Sequence, residues 1–132
     1  MGYRSDVAYT IRFSGEDDTK VKQSFYTFLA EAKANPAIAG CFSDDEEHFK
    51  VIEATYTINF HADDVKWYES YEDVQCHEAL MKQALAWIDD ENECIGYIFA
   101  RIGEETNDTE QNYGGNWDDD WLYLKRELVL DW

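Results

Sequence analysis

The sequence predicts an α+β domain with the element order β-α-β-β-α-β-β. Three observations carry this. Apolar and polar residues alternate over Val7 to Phe13 and again over Ile52 to Phe60; apolar residues recur at helical spacing over Val21 to Ala32 and Val74 to Ile88; and Cys94 to Ile102 is a nearly unbroken apolar run. Two amphipathic helices need a shared apolar surface, so both are expected on one face of a mainly antiparallel sheet. The first six elements follow the split βαβ order of a ferredoxin-like sheet, and the last strand would extend it. At 132 residues, with no internal repeat and no linker, residues 1–132 are expected to form one domain.

The elements follow in order. Val7, Tyr9, Ile11 and Phe13 give the first strand one apolar face, and Ser14-Gly15 ends it. Glu16, Asp17 and Asp18 sit where the first helix dipole is positive, Val21, Phe25, Phe28, Leu29 and Ala32 form its stripe, and Asn35-Pro36 stops it. Ala37 to Cys41 reads as a short extra turn and Ser43 to Glu47 as an acidic loop. Ile52 to Phe60 is read as one strand, His61 to Asp64 as a turn, and Val65 to Tyr68 as a short returning strand. The second helix is expected from about Tyr71 to Ile88, with Val74, His77, Met81, Ala84, Leu85 and Ile88 inward; Ser70 and Asp73 resemble its cap. Asp89 to Glu93 is an acidic connector. Cys94 to Ile102 reads as a strand covered on both faces, Gly103 to Asn116 as a long loop, and Trp121 to Leu130 as the last strand.

Charge bounds the function. The chain has 29 acidic and 11 basic residues, a net charge of −18. Duplex DNA carries one charge per ~1.7 Å of axis, so 18 charges match about 30 Å of duplex, close to the diameter of a domain whose radius of gyration is roughly 14 Å. Such a protein is expected to bind a basic partner, above all a nucleic-acid-binding protein, and not nucleic acid itself. Solubility alone asks for a net charge of only about 2–8. Disorder is excluded by composition: 45% of residues are hydrophobic and 16% aromatic. Cys41, Cys76 and Cys94 are odd in number, widely spaced and without CxxC, which suits a reducing compartment. No apolar run approaches the ~18 residues of a membrane span, and Asp6 and Arg12 interrupt any secretory signal at the start. A soluble, cytoplasmic protein is expected.

The acids are uneven. Residues 1–66 hold 12 acids and 7 bases; residues 67–132 hold 17 and 4. The candidate partner-binding surface is therefore centred on Asp118, Asp119 and Asp120, joined by Asp89, Asp90, Glu91, Glu93, Glu104 and Glu105. Trp117 and Trp121 flank the three aspartates, where indoles can stack on the guanidinium groups that carboxylates pair with. The bland counterpart is a solvating acidic surface beside core tryptophans.

Other chemistry fits less well. Asp90-Glu91-Asn92 begins like a calcium loop, but Cys94 and Ile95 stand where a ligand and a glycine belong. Asp118 to Asp120 with Glu127 would suit Mg²⁺ in a phosphoryl hydrolase, although no phosphate-holding loop stands nearby. Cys41, His48, His61, Cys76, His77 and Cys94 lack the paired spacing of zinc ligands, and His77 falls on a buried helix stripe as a hydrogen-bonded core residue would. No cofactor, no metal and no catalytic residue is expected. Exposed sheet aromatics such as Tyr97 and Phe99 would suit an RNA-binding sheet, but the charge opposes that.

The opening Met1-Gly2-Tyr3-Arg4-Ser5-Asp6-Val7 resembles that of a group of small, mostly uncharacterised bacteriophage proteins. The resemblance covers this start and the first strand and helix, and it implies a viral origin and no catalytic residue. In composition, though not in alignable sequence, the chain is similar to phage DNA-mimic inhibitors of the anti-restriction and anti-CRISPR type. That likeness implies a non-enzymatic inhibitor acting in the host cytoplasm on a basic nucleic-acid-binding protein or complex. The alternatives are a small metal-dependent hydrolase using Asp118–Asp120, or an acidic phage domain without mimic function; homodimerisation is left open.

Overall fold

A computed structural model of the chain describes residues 4–42, 48–67, 72–90, 94–104 and 108–115. They form one antiparallel five-stranded sheet and two helices: β1 (Ser5–Phe13), α1 (Asp18–Ala34), a 3-10 turn (Ala39–Phe42), β2 (Phe49–Ile52), a second 3-10 turn (Glu53–Thr55), β3 (Thr57–Val65), α2 (Glu72–Asp89), β4 (Ile95–Gly103) and β5 (Thr109–Gly115). The strand order is β2-β3-β1-β4-β5, and every neighbouring pair is antiparallel. The sheet thus differs from a simple four-stranded ferredoxin-like one. Among the described residues no helix is long and apolar enough to cross a membrane.

The alternation in β1 works as the sequence reading requires. Val7, Tyr9, Ile11 and Phe13 are all at most 2% exposed and look toward the helices. Asp17 caps α1, its carboxylate accepting from the Lys20 backbone N–H, and Asn35 ends it ahead of Pro36. The buried residues of α1 are Val21, Phe25, Phe28, Leu29 and Ala32. Both helices meet one strand end: the Phe13 ring packs against Phe25 and Phe28 of α1 and Trp87 of α2. Trp87 Nε1 donates to Glu31 Oε2 (2.8 Å) and Gln83 Nε2 to the Phe28 carbonyl (3.0 Å), tying helix to helix. The helices therefore share one face of the sheet.

Several elements differ from the sequence reading. Ile52 to Phe60 is not one strand. Glu53–Thr55 turn the chain and Tyr56 takes a left-handed φ of 52°, so the segment is the bend of a β2–β3 hairpin. No Gly or Asn marks this turn. Tertiary contacts hold it instead: the Tyr56 carbonyl accepts from Phe13 N (3.0 Å), and its ring packs on Phe25. His61 to Asp64 belong to β3 rather than a turn, because His61 and Asp63 stand exposed on either side of buried Ala62. Lys66 and Trp67 follow β3 outside any strand, and Tyr68 lies outside the described residues. On α2, Leu80 is fully buried while Leu85 is 39% exposed, so the inward stripe is rotated from the expected one. Part of the expected loop Gly103 to Asn116 is the strand β5, whose side chains are nearly all polar and exposed; backbone pairing to β4 makes it. The expected strand Trp121 to Leu130 lies outside the described residues.

Candidate functional site

Strand direction gathers acids that the sequence spreads out. β1 ends at Phe13, where β3 and β4 begin and β5 ends: Arg12 pairs with Thr57, Phe13 with Ile95, and Gly96 with Gly115. Ser14 N donates to the Cys94 carbonyl (2.8 Å), and Tyr56 Oη donates to Asp18 Oδ1 (3.4 Å), closing this end of the fold. Six exposed acids surround it: Glu16, Asp17 and Asp18 before and at the start of α1, Glu53 in the hairpin turn, and Asp89 and Asp90 at the end of α2. Among the described residues none of the six makes a salt bridge. Lys20 and Lys22 lie in the first two turns of α1, and Lys50 precedes Glu53 by three residues.

At the opposite end several acids have partners. Arg101 holds Asp108 through both guanidinium nitrogens (2.9 and 3.2 Å), takes Glu110 with Nε (3.2 Å) and reaches Ser5 Oγ (3.1 Å). The hydrogen bonds to Asp108 are the chief cause of its raised pKa. Glu104 accepts from the Arg4 backbone N–H (2.8 Å), and His61 lies 3.0 Å from Asp63.

The expected site residues divide accordingly. Asp89 and Asp90 belong to the acidic end. Glu104 does not: it follows β4 at its other end, and nine residues of strand at ~3.3 Å each set it roughly 30 Å away. The density of acids along the chain joins what the strand separates. Glu91, Glu93, Glu105, Trp117, Asp118, Asp119, Asp120 and Trp121 lie outside the described residues, as does Glu127. Sequence reasoning misses Glu16, Asp17, Asp18 and Glu53 as partner-facing groups. Only strand direction places them at the same end of the sheet as Asp89.

Tyr97 and Phe99 are 3% and 4% exposed beneath α2, with Tyr97 Oη donating to Met81 Sδ (3.0 Å), so they offer no base-stacking surface. Burial raises the Tyr97 phenol pKa, with the Glu110 charge adding to it. The basic residues Arg4, Arg12, Lys20 and Lys22 form no patch: Arg4 precedes β1 at one end, while Arg12 lies near the other, half-buried and donating to Thr10 Oγ1 (3.3 Å).

A second cluster sits under the sheet's other half. Cys41 from the 3-10 turn meets Cys76 and His77 from α2, with their ligand atoms all within 4.8 Å of one another. Cys41 Sγ is 3.5 Å from His77 Nδ1, and the fully buried Tyr9 places its hydroxyl 2.7 Å from the same nitrogen. Phe60 stacks on the imidazole (centroids 4.1 Å apart), with Phe49, Trp67 and Tyr9 around it. Burial, then the hydrogen bond to Cys76, pushes the Cys41 thiol well above its usual value, the opposite of an activated nucleophile. Cys41 and Cys76 stand too far apart in sequence to give a spacing signal, which is why the sequence does not show them as paired ligands.

No family model, no curated protein and no solved structure matches the chain.

Proposed function

We propose that the chain is a non-enzymatic, phage-encoded inhibitor that binds a basic nucleic-acid-binding protein of the host cytoplasm through its acidic end, as a charge mimic of nucleic acid. The observation that supports this reading is the gathering of six exposed carboxylates without salt bridges among the described residues at one end of the sheet, whereas at the other Arg101 holds Asp108 and Glu110. Selection for solubility alone gives no reason for such polarity. The carboxylates would take the place of phosphates opposite Lys and Arg, speed encounter by long-range attraction, and exclude the true ligand by occupying its groove. Asp118–Asp120 follow β5 by a few residues in sequence and belong to the same proposed surface. The viral origin rests on the resemblance of the first seven residues. The fold that carries the surface is read here as a split βαβ unit of ferredoxin-like order, with β5 added beyond β4.

The test is capture. Immobilised wild-type chain and a neutralised variant (Glu16→Gln, Asp17→Asn, Asp18→Asn, Glu53→Gln, Asp89→Asn, Asp90→Asn) are compared on bacterial lysate at low and high salt. The wild type is expected to retain a nucleic-acid-binding protein at low salt that the variant loses. Equal retention by both at every salt concentration would refute the reading, as would direct, specific binding of DNA or RNA by the wild type in a mobility-shift assay.

A further inference from the structure

We propose that Cys41, Cys76 and His77 form a binding site for one zinc ion. Two thiols and an imidazole converge from separate elements, their ligand atoms within 4.8 Å of one another. Zn–S bonds of ~2.3 Å and Zn–N bonds of ~2.0–2.1 Å at a tetrahedral angle put sulfur and nitrogen about 3.5 Å apart. Cys41 Sγ and His77 Nδ1 stand at 3.5 Å already. Sulfur and imidazole together select zinc over the hard cations that carboxylates bind.

The surroundings complete the site. Tyr9 Oη, 2.7 Å from Nδ1, would give up that hydrogen bond as Nδ1 takes the ion, and its hydroxyl would then stand near to donate to a water in the fourth position. Phe60, Phe49 and Trp67 pack about the imidazole and fix its plane. As the two Zn–S bonds form, two thiol protons leave to solvent, and no oxidant or reductant is needed. The ion would pin the 3-10 turn that follows α1, Ala39–Phe42, onto the start of α2. The role is structural and independent of the acidic end.

The experiment uses the full chain, reduced and stripped of metal, titrated with Co²⁺ and then Zn²⁺. One equivalent of Co²⁺ should give a thiolate-to-cobalt charge-transfer band that Zn²⁺ bleaches. Cys94→Ser, whose thiol lies outside the cluster, should keep the band. Cys76→Ser should lose more than about 100-fold in affinity, beyond the 10–100-fold that goes with a supporting partner. Should Cys76→Ser fail to fold, alkylation of wild-type Cys76 decides: zinc should slow it at least ten-fold. Absence of the band, its retention in a folded Cys76→Ser, unchanged alkylation, or binding of copper(I) but not zinc would each overturn the assignment.

Discussion

Gly115 ends β5 at the acidic end, and its replacement by alanine tests how closely that edge is built. Two costs follow from its geometry. Its φ is +64°, which an L side chain adopts at about 1–2 kcal/mol. A Cβ there would also lie 2.2 Å from the Ile95 carbonyl oxygen and 3.0 Å from Ile88 Cγ1. The first contact is with backbone and has no rotamer to yield, so the β4–β5 pair must open, at the about 1–3 kcal/mol of an overpacked site. The sum is about 2–5 kcal/mol. For 132 residues the unfolding entropy is about 0.28 kcal/mol per kelvin, so Tm should fall by about 7–18 °C. Gly115→Asn separates the terms: asparagine tolerates the left-handed region but keeps the clash, so it should recover about 1 kcal/mol at most. Gly40, with nothing within 4 Å of its added Cβ, is the control, and alanine there should stay within about 0.5 kcal/mol of wild type. Calorimetry or thermal circular dichroism reads all three. A Gly115→Ala protein melting within about 2 °C of wild type would refute the close approach of β5 to β4.

Three further perturbations test the core, the cap and the charge. Phe28→Ala should cost about 3–5 kcal/mol by denaturant titration, and a double-mutant cycle with Trp87→Ala should show about 0.5–1.5 kcal/mol of coupling, since the rings stand 5.3 Å apart; strict additivity would contradict packing of both helices over Phe13. Asp17→Ala should lose about 1 kcal/mol of α1 capping while Asp17→Asn keeps it, read as a shift in denaturation midpoint; equal loss in both would mean the charge, not the acceptor oxygen, matters. Raising ionic strength from 0.01 to 0.15 M shortens the Debye length from ~30 to ~8 Å and should raise Tm by relieving the repulsion of a −18 chain; a flat or falling Tm would contradict it.

What could be read from the sequence was what local chemistry decides. The α1 stripe is buried residue for residue, because helix period and the Asn35-Pro36 stop leave no competing register. The alternation of β1 fixed its inner face in the same way. The β2–β3 hairpin was not legible: an apolar alternation continues through Ile52 to Phe60, and Tyr56 turns the chain only because Phe13 and Phe25 hold it there. β5 was hidden for the reverse reason, since its polar side chains say loop while its backbone completes the β4 ladder. The site shows the same division. Asp89 and Asp90 stand out in sequence, but Glu53 joins them, and Glu104 leaves them, only through strand order. Cys41 meets His77 across the β2–β3 hairpin, a separation of 36 residues that no spacing rule spans.

The measurement closest to the central claim is competition. The captured partner, held on the immobilised chain, is challenged with duplex DNA at fixed ionic strength, and release is followed as DNA and then NaCl are raised. If the acidic end stands in for phosphates, DNA releases the partner in proportion to the partner's own affinity for it. Six charge pairs at about 0.2–1 kcal/mol each also mean that the neutralised variant binds roughly eight- to 25,000-fold more weakly, with a flatter salt dependence. A complex that forms equally well with the neutralised variant, and that duplex DNA never displaces, would contradict it.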